Sequence, residues 1–99
     1  MTDIKPTDLD AVIHAPKRLM ALAILNAVKE AEFKYMAERI GIADSDLSKQ
    51  MATLADAGLV KVRKVGGGRT SKTWYSLTAD GKASFADYKQ ALREIVDGP

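Results

Sequence analysis

The chain has 99 residues, 46% hydrophobic and 28% charged, a size and balance that suit one soluble domain with one modest core. It contains no cysteine, which excludes disulfides, thiolate metal sites and cysteine nucleophiles. The formal net charge of +2 is too small to identify a polyanionic partner by its total alone.

Nothing at the start reads as a secretory leader, and no apolar run approaches the ~20 residues that a membrane span needs. The expected setting is therefore cytoplasmic, with no membrane partner. Residues 1–5 read as a loose tail. Pro6–Ile13 is expected to make a short first helix with Leu9, Val12 and Ile13 on one face. Pro16 suits the first position of a second helix, where its missing N–H is harmless. That helix runs on to Val28 and is apolar nearly all round between Leu19 and Val28, as a central buried helix would be.

A further helical pattern covers Lys34–Ile40, and Gly41 suits a left-handed stop. Asp44 and Ser45 are both candidate N-caps for the next helix, Asp46–Ala57. Its apolar residues Leu47, Met51 and Leu54 are spaced i, i+4, i+7, and Gly58 offers another stop. Two short helices joined by so tight a turn must cross steeply.

From Leu59 to Leu77 there are five cations (Lys61, Arg63, Lys64, Arg69, Lys72) and no acid. Leu59–Arg63 and Thr73–Leu77 have strand character, and Gly66-Gly67-Gly68 lies between them, so the stretch reads as a hairpin with a mobile tip. The glycines are not a nucleotide loop, because no Gly-Lys-Ser/Thr follows to open a helix. Thr78 is positioned to cap a last helix, Ala79 to about Val96, on which Phe85, Tyr88, Leu92 and Ile95 form an apolar seam.

The order helix, helix, tight turn, helix, basic hairpin resembles the small single-domain winged helix-turn-helix regulators near the MarR and ArsR groups. The resemblance covers about Ile13 to Val96. It rests on Pro16-Lys-Arg-Leu, on Phe33-Lys-Tyr-Met-Ala-Glu-Arg-Ile-Gly-Ile42, on Leu47 through Val60, and on Trp74-Tyr-Ser-Leu-Thr-Ala-Asp-Gly-Lys82. Ala37 and Gly41 match the close-packed and turn positions of that motif, and Met36, Ile40, Ile42 and Leu47 its buried ones. Gln50 departs from the general pattern, which expects an apolar residue there; Met51 follows it.

The resemblance implies a mainly α, α+β winged helix-turn-helix domain over residues 1–99, with a two-stranded hairpin wing and a C-terminal dimerisation helix. It implies sequence-specific binding of double-stranded DNA by a homodimer, and transcriptional regulation. Ser45, Ser48, Lys49, Gln50 and Thr53 are the candidate groove contacts: lysine donates to guanine, glutamine pairs with adenine, and hydroxyls reach phosphates or base edges. Arg63, Lys64, Arg69 and Lys72 are the candidate wing contacts, with Arg69 and Lys72 the foremost. Arg18, at a helix start, either approaches the DNA backbone or pairs with a carboxylate. Leu9, Val12, Ile13, Phe85, Tyr88, Leu92 and Ile95 are the candidate dimer interface, unless the last helix folds back on its own core.

Trp74 alternates away from Tyr75 and Leu77 and is expected either to stack across the hairpin or to help cover the base of the wing. No catalytic set assembles around His14, the only histidine, so an enzyme is not expected, nor a metal site, nor a cofactor. Any small-molecule effector is unknown. The competing reading is a winged-helix protein-interaction module without nucleic acid.

Overall fold

The computed structural model describes residues 5 and 8–98. In chain order the elements are α1 (Pro16–Ala27), β1 (Ala31–Glu32), α2 (Phe33–Ile40), α3 (Asp44–Asp56), β2 (Val60–Val65), β3 (Lys72–Leu77) and α4 (Ala79–Asp97). β2 and β3 make the expected two-stranded hairpin wing, and β1 adds a third strand to the sheet on the other side of β3, in the antiparallel order β1-β3-β2. The added strand is only two residues long, too short to show a period in the sequence.

The expected first helix does not form over residues 8–13, which make successive turns; Pro6 and Thr7 lie outside the described residues. Asp10 explains this, because its Oδ1 accepts from the backbone N–H groups of Val12 and Ile13 at 2.9 and 3.4 Å. A short polar side chain that binds its own backbone in this way competes with helix. Pro16 stands in the first turn of α1 as expected. The helix buries one face only, through Ala21, Leu22 and Leu25, while Met20 remains 46% exposed. It is therefore amphipathic in use although apolar in sequence.

Gly41 ends α2 at φ 79°, the left-handed conformation that glycine adopts without a Cβ clash. The N-cap of α3 is Ala43, not Asp44 or Ser45. Its carbonyl accepts from Asp46 and Leu47 at 3.0 Å each, so Asp44 and Asp46 fall inside the first turn, where acids oppose the positive helix end. Leu22, Leu25, Met36, Leu47, Met51 and Leu54 are the fully buried centre, and Tyr75 and Leu77 of β3 close it from the sheet side.

Thr78 caps α4 as expected, its Oγ1 accepting from Gly81 N–H at 2.9 Å. Gly81 packs so tightly on the end of α3 that a Cβ there would sit 2.0 Å from the Leu59 carbonyl oxygen. Overpacking against backbone typically costs about 1–3 kcal/mol, because no side chain can rotate out of the way. Gly81→Ala is thus expected to lower the unfolding free energy by at least that amount, and the urea midpoint with it, whereas Gly67→Ala, with nothing within 4 Å, leaves the midpoint nearly unchanged. Equal midpoints for the two variants would contradict this packing.

Candidate nucleic-acid interface

With Leu47, Met51 and Leu54 buried, helical periodicity turns Ser45, Lys49, Ala52 and Asp56 outward, within roughly 60° of arc at 3.6 residues per turn. Ser48 flanks this stripe on one side and Thr53 on the other, and all six are exposed. The Thr53 hydroxyl donates back to the Lys49 carbonyl at 3.2 Å. Lys49 has no ion-pair partner among the described residues. The acids at the start of α3 do: Asp44 pairs with Lys34 at 3.2 Å, and Asp46 pairs with Lys17. The Lys17 ammonium and the Gln50 amide both hold the Asp46 carboxyl below its ordinary range. The charge of these two acids is therefore countered locally, while Asp56, at the far end of the stripe, has no ion-pair partner among the described residues.

Gln50 does not join the outward stripe. Its Oε1 accepts from Arg18 Nη1 and its Nε2 donates to Asp46 Oδ1, both at 2.9 Å. Both ends of the amide are thus occupied on the side facing α1. Met51, 1% exposed, takes the core place next to it. Arg18 is committed as well: its Nε donates to the Val12 carbonyl at 2.6 Å, and its Nη2 reaches the Ala11 carbonyl at 3.5 Å. Arg18 therefore ties the segment before α1 to α3, through carbonyl and amide oxygens rather than the expected carboxylate. Sequence alone does not reveal this, because the partners stand 32 residues apart.

The strand register divides the wing cations between two faces. Val62 and Lys64 stand opposite Tyr75 and Thr73 on the face that looks toward α3. Arg63 stands opposite Trp74, and Val65 opposite Lys72, on the other face. Arg63 is neutralised there: its Nε and Nη2 grip both oxygens of Glu30 at 2.9 and 2.8 Å, and its guanidinium lies 5.8 Å from the Trp74 ring centre. The bidentate pair lowers the Glu30 carboxyl and raises the Arg63 guanidinium. A lowered carboxylate stabilises the fold above its ordinary range, and that contribution is lost as the pH falls through its folded value.

Arg63 accordingly fixes the base of the wing. Trp74 covers that base, as expected, above a cleft of about 290 Å³ shared with Val28, Ala31 and Tyr35. Lys61, Lys64, Arg69 and Lys72 have no ion-pair partner among the described residues. Arg69 sits in the tip, in a single 3-10 turn over Gly68–Thr70. Between α3 and the wing lies a second cleft of about 270 Å³, walled by Ser48 and Ala52 on one side and by Val62, Lys64 and Thr73 on the other.

Of the expected dimer residues, Ile13, Phe85 and Tyr88 are no more than 4% exposed within one chain and belong to its own core. Tyr88 OH meets His14 Nδ1 at 2.7 Å, which fastens α4 to the segment before α1. Leu9, Val12 and Leu92 are half-buried against that core. Ile95 and Val96, at 43% and 71%, are the large apolar side chains of α4 left in solvent. The alternative of a last helix folded onto its own core thus holds for the first half of α4.

A family model for the winged helix DNA-binding domain matches residues 17–96. The chain belongs to the winged helix DNA-binding domain family. An uncharacterized protein of Methanocaldococcus jannaschii is 30% identical over 85 residues, 85% of this chain and 91% of that protein. Among solved structures, a transcriptional regulator homologue from Pyrococcus horikoshii superposes with a TM-score of 0.82 at 24% identity, covering 88% of this chain and 86% of that one. A homodimeric winged helix-turn-helix DNA-binding domain from Mycobacterium bovis, a possible ArsR-family regulator, gives 0.74 at 21% identity, with 89% and 78% covered. The family match decides between the two readings of the sequence in favour of DNA. Among the described residues, no helix is long and apolar enough to cross a membrane.

The role of Arg18 is directly testable. Arg18→Met removes hydrogen bonds from a charged donor and is expected to reduce unfolding free energy by about 1.5–3 kcal/mol. The salt dependence of duplex binding should stay the same. A flatter salt slope with unchanged stability would return Arg18 to the DNA.

Proposed function

We propose that this chain is a cytoplasmic transcriptional regulator that binds a palindromic duplex site as a homodimer. In this reading α3 enters the major groove and the wing holds the flanking backbone. The observation that carries it is the joint exposure of the α3 stripe and of Lys64 on the facing side of the wing, with the acids at the head of α3, Asp44 and Asp46, already paired. Lys49 is the donor suited to a guanine edge, and Ser45 and Ser48 are suited to phosphates or base edges. Lys64 and Arg69 supply affinity, because phosphate contacts need charge and reach more than rigidity. Lys72 lies on the opposite face and contributes less.

Dimerisation is supported by the exposed end of α4, where Ile95 and Val96 stand free of their own core. The chain is also extended, with a radius of gyration of 14.7 Å against the ~13 Å of a compact domain this size. A twofold dimer places two recognition helices about one duplex turn apart.

Selection of bound sequences from a random duplex pool tests the reading as a whole; it should return a motif with inverted half-sites. On that duplex, Lys64→Ala with Arg69→Ala should flatten the log–log salt slope by roughly three to four units for two wings. Loss of affinity without a change in slope would remove the wing from the backbone. Ile95→Asp with Val96→Asp should halve the mass found by sedimentation. An unchanged mass would exclude the end of α4 from the interface.

A further inference from the structure

On the outward stripe of α3 the third of the four positions, on the edge nearest the wing, is held by an apolar residue. Ser45 and Lys49 precede it and Asp56 follows, but Ala52 has no polar atom in its side chain with which to read a base edge. Ala52 is exposed, and next to it begins the cleft toward the wing, where Val62 remains 46% exposed. An apolar strip thus runs from Ala52 to Val62 across a cleft that Ser48 and Lys64 also line. Water wets this strip at a cost, and a duplex that covers it gains by removing that water.

The major groove offers one apolar group on its base edges, the C5-methyl of thymine. Polar edges placed over Ala52 would lose their water without gaining a partner, which disfavours them. A one-carbon side chain also lets the helix axis come close enough for carbon-to-carbon contact.

We infer that Ala52 selects thymine at one position of each half-site by packing its methyl group against the thymine C5-methyl. This rests on the DNA-binding reading above. Lys49 and Ser48 fix the register of the helix in the groove, and Ala52 discriminates between pyrimidines by their apolar substituent. Thr53 lies on the far side of the stripe from the wing cleft, which it does not line.

The test uses the full chain and a duplex selected from a random pool. Each thymine is replaced in turn by uracil, which keeps every hydrogen-bonding group and removes only the methyl. One position per half-site should lose about fourfold in affinity, equivalent to roughly 0.8 kcal/mol for a methyl-sized group. In Ala52→Gly that position should bind thymine and uracil equally. Glycine loosens a helix, so Ala52→Ser is the second variant: it holds the helix and replaces apolar contact with a hydroxyl. It should erase the same preference. If no thymine is sensitive to methyl removal, or if the sensitivity survives both substitutions, the inference is overturned while DNA binding stands. If no duplex is selected at all, the DNA-binding reading falls and takes this inference with it.

Discussion

The geometry of this domain depends on one crowded junction, where the end of α3, the start of β2 and the start of α4 share hydrogen bonds around Leu59 and Thr78. Gly58 turns the chain out of α3 at φ 78°, and Leu59 N–H returns to the Leu54 carbonyl at 3.0 Å. The Leu59 carbonyl accepts from Thr78 N–H at 3.1 Å, and the Thr78 hydroxyl donates to the Gly58 carbonyl at 2.7 Å while capping α4. Gly81 has no side chain because the Leu59 carbonyl occupies the space a Cβ would need. The junction fixes both feet of the wing against the C-terminal end of α3. The distance between the outward stripe of α3 and Lys64 follows from it.

A second constraint concerns charge. The sequence nearly balances its signs, yet contact with a polyanion needs a surface where positive charge is unopposed. The fold achieves this by sorting. Asp44 and Asp46 are held by Lys34 and Lys17 at the head of α3, and Glu30 is spent on Arg63 behind the wing. These pairs are solvent-exposed and screened, so their chief effect is to direct side chains rather than to stabilise the fold. What remains unpaired toward the proposed DNA side is Lys49, Lys64 and Arg69, with Asp56 as the one opposing charge at the far end of the α3 stripe. On the opposite side, the Arg18–Gln50–Asp46–Lys17 chain holds α3 against α1, and the Tyr88–His14 contact holds α4 against the segment that Arg18 grips.

Features whose causes are local were legible in the sequence. Gly41 and Gly58 announced their stops through conformational freedom, Thr78 its cap, and Leu47, Met51 and Leu54 their buried face through spacing. Roles set by distant partners were not. Gln50 looks like a groove contact until Arg18 is seen beside it, and Arg63 looks like a wing cation until Glu30, 33 residues away, is seen to hold it. Residues 8–13 failed as a helix for a reason visible only at atomic detail, the carboxylate of Asp10 on its own backbone. Phe85 and Tyr88 read as an intermolecular seam, but helical spacing cannot say whether the surface they bury belongs to the same chain. β1 has two residues and leaves no pattern.

The account turns on which face meets the duplex, and a titration of the isotopically labelled protein with a selected duplex, followed by amide NMR, tests that most directly. The largest shifts should fall on Ser45–Thr53 along α3 and on Lys64–Thr70 of the wing, with Val28, Tyr35 and Trp74 left nearly unmoved. Shifts concentrated instead around Trp74 and Tyr35, with α3 silent, would contradict it.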